Sequence, residues 1–281
     1  VLSAMLKEGP PSAMEALKGL LSSYPDQSLG YRAKAEIIFY KGQYAEAEAL
    51  FAKAAKLDPE NFDSRLGLAK AKFFQGKAEE ALELLRGLSK ERPQEPEVKL
   101  YLQFLEGRGE LAPAFYMIPE SPFISRADAA ALLDVFLLSL RSPKPEPFPL
   151  IMTDIRGHWA LSHIQRAVQH RVLVAFPDHT FRPDALLDRA SMAGALERYF
   201  RLLGMEGQPR GDSPPLPDIG PLNVHYSSIV FVLSYGLMER LPDGRFGLMG
   251  WISGKEALLL MERARFLAKL LKEETSGRPL A

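Results

Sequence analysis

Ser125 stands three residues before Asp128, and Ser253 three before Glu256. A hydroxyl and a carboxylate at that spacing form a capping box: the hydroxyl accepts from the third backbone N–H of a helix, and the carboxylate returns to the N–H of the cap. At the first helical position between them lies Arg126. Arg189 follows Asp188 in the same place, and Gly254 follows Ser253. An arginine there stands beside unpaired backbone N–H groups and the positive end of the helix dipole, so Arg126 and Arg189 are candidates for holding an anion. Asp188 can cap, but Ser191 three residues on makes a weaker return than a carboxylate.

Other chemistry is thinly marked. His163 and His170 are seven residues apart and share a helix face, yet no third residue has ligand spacing, so no metal site is expected. Arg210-Gly211-Asp212 resembles an adhesion tripeptide, but tripeptides recur by chance. No Gly-rich phosphate loop, Gly-x-Ser-x-Gly elbow, HExxH or marked glycosidase carboxylate pair is present. A non-enzymatic protein without cofactors is therefore expected. Trp159 fits a core anchor at a helix start better than a sugar platform. Phe181 and Phe246 read as core, and Arg182 either lines a groove or covers Phe181 with its stem.

The elements that position these residues come in two periods. Asp154, Pro177 and Phe181 recur as Asp218, Pro242 and Phe246, an offset of 64 to 65, which marks a unit stacked on copies of itself. Toward the N-terminus, Gly42, Ala47 and Pro59 recur 34 residues on as Gly76, Ala81 and Pro93. Each of those units reads as helix, glycine turn, helix and proline stop. Tyr44, Ala47, Phe51 and Ala54 mark one apolar helix face. Ala47 and Ala81 let paired helices approach, and Gly42 and Gly76 suit the tight turn. Proline-rich connectors at 141–149 and 207–217 separate units at about 109–141, 150–204 and 216–272.

The composition supports a globular protein of one large or two ordinary domains, with 47% hydrophobic and 25% charged residues over 281 positions. Lys plus Arg equals Asp plus Glu at 35 each, so no global field favours nucleic acid or an anionic membrane. No cysteine is present, which removes disulfides and thiolate sites and is compatible with an oxidising compartment. No apolar run is long enough to span a bilayer. The chain opens on Val1, which leaves room for a leader or a lipid-bearing cysteine upstream.

Lys41-Gly42-Gln43-Tyr44-Ala45-Glu46-Ala47-Glu48-Ala49-Leu50-Phe51, followed by Leu57-Asp58-Pro59-Glu60-Asn61, resembles the tetratricopeptide repeat. A half repeat to residue 25, whole repeats at 28–61 and 62–95 and a helix at 96–106 are expected within a domain at 1–108. The resemblance implies a helical-hairpin solenoid whose concave-face positions map to Arg32, Glu36, Phe39, Lys70 and Phe73. These would receive a protein partner as an extended or helical peptide, with bracing of the C-terminal part as the alternative.

Asp154-Ile155, His158-Trp159-Ala160, Pro177-Asp178, Thr180-Phe181-Arg182-Pro183 and Arg189-Ala190 resemble the S-layer homology domain. Asp218-Ile219, Pro242-Asp243-Gly244, Phe246, Ile252-Ser253 and Glu256 repeat the pattern, and Ile124-Ser125-Arg126-Ala127 carries its end. The chain departs from the family at His179 and Ser191, where the family has Gly and Glu, and at Gly254, where it has Arg. The implied fold is a pseudo-threefold bundle of three units over 109–281, so the whole chain is expected to be mostly α. A 63-residue shift from the second unit makes the helix at 96–106 the opening helix of the first, shared by both modules in a rigid joint.

In that family the arginine faces a groove between units and contacts an acidic cell-wall polysaccharide, often bearing a pyruvyl ketal. The resemblance carries this role to Arg126 and Arg189, with Arg182 and Trp159 as further candidates, while Gly254 cannot supply it. It implies an exported protein of the cell envelope, periplasm or cell surface, attached to wall or surface polysaccharide. The competing expectation is that the units have become a protein-docking scaffold in a surface or periplasmic assembly.

Overall fold

The computed structural model describes residues 27–138, 151–205 and 216–275. The chain divides into two compact units, Val1–Tyr116 and Met117–Ala281. The half repeat to residue 25 and the connector at 141–149 lie outside the described residues, as does most of the connector at 207–217 with Arg210-Gly211-Asp212. The described secondary structure is helical, with isolated β-bridges and no strand, as the mostly α reading requires.

In the first unit α1 (Ser28–Tyr40), α2 (Tyr44–Leu57), α3 (Phe62–Phe74), α4 (Ala78–Glu91) and α5 (Pro96–Glu106) pack in succession, each on the next. Gly42 and Gly76 make the inter-helix turns at φ +77° and +79°, a region L side chains rarely enter. Asn61 caps α3 by accepting from the Ser64 N–H at 2.9 Å, and Gly107 at φ +64° ends α5. The apolar face read from the spacing is buried: Ala47, Phe51 and Ala54 on α2. At Gly67 a Cβ would lie 2.3 Å from the Phe51 ring, so the glycine is what lets α3 press on α2. A chain of aromatic rings, Phe39, Phe74, Phe73, Tyr101, Phe104 and Phe115, runs through the unit with adjacent centroids 5.0–6.4 Å apart.

Glu48 on α2 accepts from Lys72, Lys77 and Gln75. Partial burial opposes its ionisation, but these donors outweigh that and hold the carboxyl at about 2 rather than 4.5. A depressed carboxylate gives stability that is fully present above its ordinary pKa and lost as pH falls through the folded value. Melting of Glu48→Gln is therefore expected to depend less on pH than wild type between 4.5 and about 2. Parallel pH profiles of the two proteins would contradict it.

The second unit joins helices of uneven length, from 8 to 22 residues, through loops. After α6 (Pro113–Met117) a single 3₁₀ turn spans Ile118–Glu120. Then come α7 (Arg126–Leu133), a π turn at Asp134–Leu138, α8 (Leu161–Gln169), α9 (Arg189–Leu202), α10 (Tyr226–Ser234) and α11 (Gly254–Thr275). The 63- to 65-residue register is visible in the bonding. Asp154 accepts from the Phe181 and Arg182 N–H groups at 2.8 and 2.7 Å. Asp218 accepts from Phe246 and Gly247 at 3.0 and 2.7 Å. Each carboxylate thus fixes the loop that places a buried phenylalanine, Phe181 or Phe246.

The segments before α7, α9 and α11 exchange backbone hydrogen bonds. Arg126 N–H donates to the Ala185 carbonyl, Arg189 N–H to Gly250, and Gly254 N–H to Ser121, at 2.8, 2.9 and 2.9 Å. Ile124 N–H donates to Ile252, and Leu187 N–H to Ile124. Ile124, Leu187 and Ile252 occupy one repeat position and are all buried. A second repeated contact lies deeper. Asp134, Glu197 and Glu262 are buried carboxylates in register. Asp134 meets His163 and Arg166 on α8, and Glu197 meets Ser228 on α10, so these two reach the next opening helix.

Candidate functional site

The helix starts are built as their spacing predicts. Ser125 accepts from the Asp128 N–H at 3.1 Å while Asp128 accepts from the Ser125 N–H at 2.8 Å, closing the capping box of α7. Asp188 caps α9 by accepting from Ser191 N–H. Ser253 accepts from Glu256 N–H at 3.2 Å.

Both arginines are buried rather than solvated, Arg126 at 9% and Arg189 at 7% exposure. Each guanidinium is turned onto the loop of the following repeat. Arg126 Nε donates to the Phe181 carbonyl at 2.7 Å and Nη2 to Val174 at 2.8 Å. Arg189 Nε donates to Phe246 at 2.9 Å and Nη2 to Glu239 at 2.7 Å. Each lies over a phenylalanine ring, Arg126 over Phe181 at 4.5 Å and Arg189 over Phe246 at 4.9 Å.

The two sites differ at the remaining nitrogen. Arg189 Nη1 is held by the Glu256 carboxylate at 2.7 Å. Arg126 Nη1 has no hydrogen-bond partner among the described residues. Burial lowers the Arg126 pKa, Asp188 works against that, and the like charges of Arg182 and Arg198 add to the lowering. Arg182 lies over the Phe176 ring at 4.0 Å and Arg126 over the same ring at 4.8 Å, so these two candidates converge. Trp159 packs instead beside His158 and His163, at 5.8 and 6.4 Å between ring centroids.

At the third helix start a Cβ on Gly254 would lie 1.6 Å from the Ile118 carbonyl oxygen. The glycine is thus imposed by close packing of the 3₁₀ turn on α11, and that turn fills the space an arginine stem would need. The fold also explains His179. Arg171, His179 and Arg182 have φ of +55°, +59° and +55°, and the matching positions 65 residues on are Gly236, Gly244 and Gly247, also positive. The middle repeat carries side chains where its neighbour carries glycine. His179→Gly is accordingly expected to stabilise the unit by about 1 kcal/mol, read as a raised urea midpoint. A lowered midpoint would show that the imidazole makes contacts that outweigh the strain.

In the first unit the mapped residues gather on the faces of alternate helices. Lys70 pairs with Glu97 at 3.1 Å and lies 5.6 Å from the Phe39 ring and 5.8 Å from the Tyr101 ring. Phe73 packs edge-on against Tyr101 at 5.0 Å. Arg32 pairs with Asp63 at 2.7 Å and lies 3.9 Å from Glu36, while its buried Nε has no hydrogen-bond partner among the described residues.

Sequence comparison agrees with this division. The tetratricopeptide repeat family matches residues 39–103, and the S-layer homology domain family matches residues 151–193. A cellulosome-anchoring protein of Acetivibrio thermocellus is 26% identical over 166 residues, covering 56% of this chain and 36% of that protein. The chain therefore spans about a third of that relative's length. No solved structure matches the chain. In order along the sequence, the chain carries tetratricopeptide repeats followed by an S-layer homology domain.

Proposed function

We propose that the chain is a non-catalytic cell-envelope protein whose C-terminal unit attaches to an acidic polysaccharide of the wall or cell surface, at the groove beside Arg126. The carrying observation is the contrast between the two arginines. Arg189 is neutralised from within by Glu256, whereas among the described residues Arg126 Nη1, next to Arg182, has no hydrogen-bond partner and no carboxylate bonds the guanidinium. A pyruvyl ketal or another carboxylate-bearing sugar would complete the guanidinium as Glu256 completes Arg189. The family match and the anchoring relative support surface attachment. The tetratricopeptide face around Phe39, Lys70 and Phe73 would receive a protein partner. The three-unit bundle is supported by the cyclic backbone exchange between 121–126, 185–189 and 250–254.

The direct test is binding of wall polysaccharide from the producing organism to the full chain, as a function of salt. Arg182→Gly removes one cation, together with its 2.9 Å ion pair to Asp178, at a left-handed position where the next repeat has Gly247, so the fold is expected to survive. Affinity should fall roughly three- to tenfold, with a shallower salt dependence. Unchanged affinity with unchanged salt dependence would remove the anion reading. The second reading is a protein-docking scaffold. It is favoured by closure of two helix starts from within, by Glu256 and by Ile118. Absence of any polysaccharide binding by wild type would leave that reading standing.

A further inference from the structure

Three large apolar residues occupy one repeat position in the second unit and remain exposed: Phe123 at 47%, Leu186 at 42% and Trp251 at 42%. Each lies three residues before a helix-start position, Arg126, Arg189 or Gly254, and directly before a buried aliphatic, Ile124, Leu187 or Ile252. Extended backbone alternates its side chains, so the aliphatics point inward and this second set points out. Pairing brings the outer set together. Ser125 bridges Leu186 and Asp188 bridges Trp251, both antiparallel, and Ile124 N–H donates to Ile252. Bridged residues share a face, and residues two along are diagonal neighbours at about 7–8 Å. Phe123 and Leu186 are related in that way, and so are Leu186 and Trp251. Met249, 72% exposed, lies two residues before Trp251 on the same alternation.

We propose that this face is a second subsite for polysaccharide, holding the apolar C–H face of a pyranose ring against Trp251 and Phe123. The proposal rests on the reading that the ligand is a polysaccharide and adds the part of it that carries no charge. Three side chains half exposed present roughly 300 Å² of apolar surface, well below the ~800 Å² per partner of a stable protein pair. The face is therefore the size of a small ligand's footprint rather than of a dimer interface. None of the three positions carries a charge. A sugar ring offers axial C–H groups on one side and hydroxyls at its rim, so flat aromatic surface recognises it through dispersion while its rim stays hydrated. The segment 181–186 links the two subsites, because its Phe181 carbonyl receives the Arg126 guanidinium and Leu186 at its other end lies on the apolar face. A chain bound with its acid at Arg126 would be extended along this segment.

The test is a titration of the full chain with wall polysaccharide, before and after chemical removal of its acidic groups, following tryptophan fluorescence and affinity. Trp251→Ala and Phe123→Ala change exposed side chains, and matched melting curves establish that they fold. Each is expected to lower affinity roughly fivefold to tenfold at low and high salt alike, since dispersion is not screened. The wild-type fluorescence change should persist with the de-acidified polymer and be absent from Trp251→Ala. Binding by wild type that both variants retain in full would overturn this subsite while leaving the Arg126 groove intact. Loss in these variants with no effect of Arg182→Gly would support the subsite and sink the anion reading. Wild type that binds no polysaccharide would sink both. A wild-type dimer that becomes monomeric in Trp251→Ala would overturn the proposal in favour of a second copy.

Discussion

Gly254→Arg restores to the third repeat the residue that Arg126 and Arg189 supply to the other two, and it is expected to unfold the second unit rather than create another anion site. The obstacle is backbone, not side chain. A Cβ at Gly254 would stand 1.6 Å from the Ile118 carbonyl oxygen and 2.7 Å from its carbonyl carbon. Relief requires the 3₁₀ turn and the start of α11 to separate, which breaks the 2.9 Å hydrogen bond from Gly254 N–H to Ser121. It also opens the ring of bonds that ties the first repeat to the last. Overpacking in a tight core costs about 1–3 kcal/mol when side chains can shift, and a backbone clash of this depth should exceed 4 kcal/mol. Gly254→Ala should already lose most of that, whereas Gly220→Ala, with nothing within 4 Å of its Cβ, should stay within about 0.5 kcal/mol of wild type. Urea unfolding of the three proteins checks this. A Gly254→Ala midpoint equal to wild type would show that the turn does not press on α11.

That glycine marks the limit of what the sequence discloses. The tetratricopeptide part is legible because its signals are local. Glycine turns at 42 and 76, small residues at 47 and 81 and the apolar face of α2 follow from helix geometry, and each appears where its spacing puts it. The caps at Ser125 and Asp188 are legible for the same reason. The second unit hides more because its decisive contacts cross between repeats. Arg126 is read correctly as a first helical residue, but nothing local says that its guanidinium turns away from its own helix onto the carbonyls of Phe181 and Val174. Sequence reasoning misses the buried Asp134, Glu197 and Glu262, although their 63- and 65-residue offsets stand in the sequence and match those of Arg126, Arg189 and Gly254. Extending the register to every position finds them, and also sets Phe123, Leu186 and Trp251 in one column. The separation of Arg126 from Arg189 could not be read in that way, since the Glu256 that closes the second site appears only as the return arm of a capping box.

Arg189→Ala is expected to destabilise the second unit by about 3–5 kcal/mol. Its side chain is 9% exposed and joins α9 to the loop and helix of the following repeat through Phe246, Glu239 and Glu256. Removing it leaves two carbonyls and one carboxylate without their donor, exposes the Phe246 ring and leaves a void along the stem. Arg126→Ala should be nearly as damaging through Phe181 and Val174, but it leaves no unpaired carboxylate behind. The two losses should therefore differ in size, with Arg189→Ala the larger because it strands a carboxylate as well as two carbonyls. Urea unfolding of the two variants separates the cases, and equal losses would contradict the different roles assigned to the two arginines. The same comparison governs how binding data are interpreted. Loss of polysaccharide binding in either alanine variant reports the fold first, which is why Arg182→Gly carries the test of the anion.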